Sequence, residues 1–212
     1  MGSLPTLTLV PLEVADDVPA RLRDARFEMQ RRDGTWVVIT PVTGEETTPA
    51  PTPAHRAASF FVDFDQDPLR ALCGSEALTP DAVIARAEAV FPRKSLAYGY
   101  VPASTGASHH EGDCTEHATV TAALLRCHGH PARLAAGVLV VRTADQWLAG
   151  GHMWAERYDR GWQVADATYP ERAGEAVHLR TAAVEDEGPG GTNTLGGALQ
   201  RMTTRVRVSA PR

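Results

Sequence analysis

Three short runs hold side chains that could do chemistry together. Gly112-Asp113-Cys114-Thr115-Glu116-His117-Ala118 sets a cysteine at a helix start. Gly151-His152-Met153-Trp154 opens a strand with a histidine, and Val164-Ala165-Asp166-Ala167-Thr168 closes the next with an aspartate. Cysteine, histidine and aspartate in these places could serve as nucleophile, base and orienting carboxylate. Such chemistry needs a depressed thiol pKa, and the open N–H groups and dipole of a helix N-terminus favour thiolate at Cys114. The same N–H groups, that of Cys114 included, could stabilise an oxyanion. Tyr98, Tyr100 and Asp113 are the further candidates for substrate or oxyanion contact. A lone cysteine is as readily a small buried hydrophobe. Cys73 and Cys127 are read that way, and the company of His152 and Asp166 is what separates Cys114 from them.

A zinc site is the competing chemistry. Cys114-x2-His117 and Cys127-x2-His130 have ligand-like spacing, with His109, His110 and His128 nearby. Ala118 to Arg126 between the pairs read as helix, however. At 1.5 Å per residue that separates Cys114 from Cys127 by roughly 20 Å, too far for one tetrahedral ion. No metal is therefore expected, and His117 is expected to pack beneath the site.

The elements that must position these residues follow from local pattern. Residues 6–14 read as a strand, and 25–31 with 35–42 as a hairpin across Arg32-Asp33-Gly34. Thr47 to Pro53 read as a linker, so residues 1–50 are expected to be a β extension and 51–212 the catalytic domain. Asp67-Pro68 and Thr79-Pro80 each look like an N-cap with proline at N1. The second of these helices has Val83, Ile84, Ala87, Val90 and Phe91 at helical spacing. Residues 101–112 read as a loop crossing the site, and about 115–127 as a third helix, stopped by Gly129 and Pro131.

Residues 132–141 suit a buried strand. Residues 152–158 and 162–168 form a hairpin about Asp159-Arg160-Gly161. A three-residue loop pairs Tyr158 with Trp162, which puts His152 and Asp166 on one face, offset by two residues. Trp154 and Trp162 are expected in core and hairpin packing. Residues 185–196 read as a loop and 198–209 as a last strand.

The chain has 212 residues, 43% hydrophobic and 22% charged, with a net charge of -5. That composition suits a globular fold and gives no reason to expect nucleic acid or an anionic membrane as partner. No apolar run reaches the roughly 18 residues that span a bilayer. The start Met1-Gly2-Ser3 has no basic and apolar signal pattern and resembles a cloning scar. The chain as given is expected in the cytoplasm, and in an exported setting if a signal once preceded it.

The runs quoted above, with Ala123-Leu124-Leu125-Arg126 and Gly129-His130-Pro131-Ala132-Arg133, resemble the bacterial transglutaminase-like superfamily. Trp162-Gln163-Val164-Ala165-Asp166-Ala167-Thr168 and Ala176-Val177-His178-Leu179 extend the resemblance, which covers about residues 66–182. Ala167 and His130 stand where proline and isoleucine are frequent. The resemblance implies an α+β, papain-like fold: a helix carrying the nucleophile packed on an antiparallel sheet, with an N-terminal β extension. It implies cofactor-independent acyl transfer by Cys114, His152 and Asp166 on a peptide, protein or small amide. With no lysine-binding tunnel evident, hydrolysis is favoured over crosslinking. The alternative is an inactive peptide-binding module of the same fold.

Overall fold

The computed structural model describes residues 50–142, 147–169, 176–184 and 187–188, and the backbone of strands at 6–11, 27–32, 35–41 and 204–209. Four α-helices lie among the described residues: α1 (Leu69–Cys73), α2 (Pro80–Val90), α3 (Ala103–His109) and α4 (Cys114–Cys127). The strands there are β1 (Thr6–Pro11), β2 (Phe27–Arg32), β3 (Thr35–Pro41), β4 (Arg93–Lys94), β5 (Glu111–Gly112), β6 (Ala132–Arg142), β7 (Trp147–Tyr158), β8 (Trp162–Ala165), β9 (Ala176–Val184) and β10 (Thr204–Ser209).

Helix α4 organises the fold. Its first turn is closed by a capping box, in which Asp113 accepts from Thr115 N at 2.7 Å and Glu116 accepts from Asp113 N at 2.8 Å. Residues 116 to 126 are all buried, so the helix is covered on nearly every side. It lies against α2, which contributes Val83, Ala87 and Val90, and against one face of an antiparallel sheet ordered β8-β7-β6-β9. Leu134, Ala136, Met153, Ala155, Ala165 and Val184 supply that face of the core. Strand alternation turns His152, Trp154 and Glu156 to the other face. There Glu156 is buried with Arg133 at 2.8 Å and Arg180 at 3.6 Å, which spares it an uncompensated buried charge. The architecture is therefore α+β with an antiparallel sheet, as the sequence implied.

Several expectations are corrected. Residues 103–109 form helix α3 rather than loop. Ala103, Gly106 and Ala107 make its buried face, and a Cβ on Gly106 would lie 3.2 Å from the Glu116 side chain. Small residues that read as loop composition are there to let two helices approach. Asp67 does not cap α1, because Pro68 occupies the N-cap position and makes no side-chain cap bond. Thr79 does cap α2, accepting from Ala82 N. Cys73 and Cys127 are not free hydrophobes but a disulfide joining α1 to the end of α4, with Cα atoms 6.2 Å apart.

Strand β10 pairs antiparallel with β1 over Thr6↔Ser209 to Pro11↔Thr204. The sheet β10-β1-β3-β2 thus joins both ends of the chain. Much of the expected loop at 185–196 lies outside the described residues. No helix among the described residues is long and apolar enough to cross a membrane.

Candidate active site

Cys114 is the first residue of α4, and its thiol is half-buried. Parallel pairing of β4 with β5, Lys94 opposite Gly112, brings the chain to this point. The Met153 backbone N–H donates to the thiol, so the sulfur sits beside the residue that follows His152. Helix and strand packing, α4 on β7, makes that approach.

The hairpin that carries His152 and Asp166 has the expected register. Tyr158 pairs with Trp162 and Ala155 with Ala165, across a three-residue loop. Continuing that count sets Asp166 opposite Trp154 and two residues from His152, and the side chains meet: His152 Nε2 donates to Asp166 Oδ2 at 2.8 Å. The left-handed residue of the loop is Arg160, at φ 57°, rather than Gly161. Both catalytic candidates are buried.

Asp166 has further donors. Thr168 N and Tyr169 N reach Oδ1 at 2.8 and 3.2 Å, and His178 Nε2 reaches Oδ2 at 2.8 Å. Burial alone would raise the Asp166 carboxyl. The hydrogen bonds and charges of His152 and His178 outweigh it and hold the group well below the usual carboxylate range. Ligand atoms of His152, Asp166 and His178 all fall within 4.8 Å, compact enough for a cation, but each histidine contact to the carboxylate is already at hydrogen-bond length.

Cys114 departs from expectation. Burial pushes its thiol up to about 11, the Met153 N–H opposes this, and the charges of Asp113, Asp166 and Glu116 push the same way as burial. Burial outweighs the helix terminus, and the Asp113 and Glu116 carboxylates in its first turn add to it. Glu116, itself buried, is raised to about 7, with burial as the first cause and the Asp113 N–H acting against it.

The remaining predicted residues are placed as follows. The Tyr98 hydroxyl donates to Glu111 Oε1 at 2.8 Å, and its ring stacks on His109 at 3.8 Å. The Tyr100 ring stacks on Phe61 at 3.9 Å. Asp113 spends its carboxylate on Thr115 and its N–H on Glu116. The Tyr98 hydroxyl and the Asp113 N–H are thus turned to Glu111 and Glu116, whereas the Cys114 N–H makes no hydrogen bond to described residues.

His117 packs beneath the site as expected: its ring tilts on Phe91 at 4.5 Å and its Nδ1 donates to Asp113 O at 2.7 Å. Burial lowers it to about 4, so it is neutral and accepts at Nε2 from Lys94 Nζ, 3.1 Å away. Trp154 and Trp162 are buried in packing roles. Two residues at the site were not anticipated. Lys94 gave no local signal. His178 lay in a run whose resemblance was noted, but nothing in its spacing pointed to Asp166.

Comparison with known proteins bears on the same segment. Residues 80–167 match the model of the transglutaminase-like superfamily. A candidate cysteine protease from Cytophaga hutchinsonii is similar in fold, with TM-score 0.51 and 14% identity over 99% of this chain and 83% of that one. The periplasmic domain of TgpA from Pseudomonas aeruginosa aligns at TM-score 0.39 and 20% identity, over 64% of this chain and 55% of that one. No curated protein matches the chain. Residues 80–167, which hold helix α4 and strands β6 to β8, are thus similar to the transglutaminase-like superfamily, and the helix on its antiparallel sheet is the papain-like fold.

Proposed function

We propose that the protein is a cysteine-dependent acyl-transfer enzyme acting on an amide or peptide carbonyl. The observation that carries this reading is the 2.8 Å contact of His152 Nε2 with Asp166, beside a thiol that takes the N–H of Met153. Asp166 keeps the proton on Nε2 and so leaves the Nδ1 lone pair for the thiol. The Cys114 sulfur attacks the carbonyl carbon as its proton passes to His152. The Cys114 N–H, which no described residue takes, is the donor for the developing oxyanion. Collapse breaks the C–N bond, His152 returns the proton to the leaving amine, and a thioester remains. Water, the favoured acceptor, or an amine then gives its proton to His152 and frees the thiol.

A thiol held near 11 makes His152 indispensable at neutral pH. Iodoacetamide treatment between pH 6 and 8, read by intact mass, is expected to modify Cys114 in the wild type. In His152→Ala the rate is expected to fall about 10²–10⁴-fold, the span of a lost general base. Equal rates in the two proteins would overturn the reading.

The raised thiol also favours a second reading, a peptide-binding module without turnover. Full biological activity of Cys114→Ala would establish that one instead. The Cys73–Cys127 disulfide supports the exported setting over the cytoplasm.

A further inference from the structure

Asp166 Oδ2 is shared. His152 comes to it from β7 and His178 from β9, each at 2.8 Å. These strands lie on either side of β6 in the sheet. The rung of β6 between them carries Gly137, paired with His152 on one side and Arg180 on the other. His178 itself pairs with Leu139, two residues along β6, and its ring reaches Asp166 beyond the strand between them. The His178 imidazole is also fixed edge-on against Trp154 at 5.0 Å, and lies 5.9 Å from the His152 ring. Its side chain is 1% exposed. A buried imidazole so fixed, donating to the oxygen that orients the base, has a defined effect on that base.

We propose that His178 is a positioning residue, which holds Asp166 by a second hydrogen bond and shares the carboxylate that orients His152. The role rests on the acyl-transfer reading above. Each donor to a carboxylate stabilises its charge and weakens its pull on the next donor. His178 therefore sets both the direction of Oδ2 and how strongly it draws the His152 proton. The other titratable groups that feel Asp166 are Lys94 on β4 and His117 and Cys114 on α4.

The test is a pH titration of the histidine rings by NMR, on the full chain labelled with ¹⁵N-histidine. His152 is assigned by its loss in His152→Gln. In His178→Ala the His152 pKa is expected to rise by about one unit, because Asp166 then serves a single histidine. In His178→Gln, whose amide N–H can keep the bond, it is expected to stay at the wild-type value. If the alanine variant does not fold, His178→Asn replaces it, being polar but too short to reach Asp166. An unmoved His152 in the alanine or asparagine variant would overturn the role, and so would an equal shift in the glutamine variant. Stoichiometric zinc on the purified wild type, lost in His178→Gln, would overturn it by giving the three side chains to a metal. Failure of the acyl-transfer reading is read separately, as unchanged Cys114 alkylation in His152→Ala.

Discussion

At the scale of single residues, burial decides more than position. Cys114 has the helix N-terminus that lowers a thiol, yet its buried setting and three carboxylates raise it to about 11. Two neighbours titrate in opposite senses. Glu116 is raised from 4.5 to about 7, so its share of stability is full below pH 4.5 and is lost as pH rises to 7. His117 is lowered from 6.5 to about 4, so its share is full above pH 6.5 and is lost as pH falls to 4. The two slopes oppose each other over much of one window, and wild-type melting temperature is expected to vary little from these groups between pH 4.5 and 6.5. Glu116→Gln keeps an acceptor for Asp113 N but removes one slope. Its melting temperature by calorimetry is expected to climb with pH across that window, and a flat profile would refute the assignment. Asp166, held low, adds stability that disappears only as pH falls below the usual carboxylate range. Asp166→Asn is expected to lower turnover about 10⁴-fold through the wrong tautomer of His152, measured as kcat once a substrate is in hand.

At the scale of elements, local sequence announced what local physics builds. The hairpin loop length gave the register of β7 with β8, and this put His152 and Asp166 in reach. The box of Asp113 and Glu116 started α4 at Cys114. Helix α3 was hidden because its Ala and Gly residues have the composition of a loop, and only the helix behind them explains why they must be small. Gly112 makes the same point more sharply. A Cβ there would lie 2.7 Å from the Cβ of Glu116, too close for any rotamer to relieve. Gly112→Ala is expected to cost about 1–3 kcal/mol by overpacking and to displace the turn that carries Cys114. The measurements are denaturant unfolding and the alkylation rate. A variant unchanged in both would show that the box tolerates the shift.

At the scale of the whole molecule, long-range closures dominate. The Cys73–Cys127 disulfide spans 54 residues and ties α1 to the far end of α4. Closing a loop of that length constrains the unfolded chain by about 4 kcal/mol in the chain-entropy account. Reduction is expected to lower the melting temperature while leaving Cys114 alkylation dependent on His152. Peptide mapping without reductant should find Cys73 linked to Cys127 and Cys114 alone alkylated. Three separable thiols would contradict the pairing.

The sequence by itself determined the helix start and the hairpin parity, and it carried the resemblance of residues 80–167 to the transglutaminase-like superfamily. Each rests on neighbours a few residues apart or on a contiguous run, where backbone geometry leaves few choices. It could not settle what depends on strands and helices distant in the chain. His178 meets Asp166 only because β9 folds beside β6, and Cys73 meets Cys127 only because α1 packs at the end of α4. The thiol pKa belongs with these: a helix dipole is a local property, but desolvation is set by everything that closes over the sulfur.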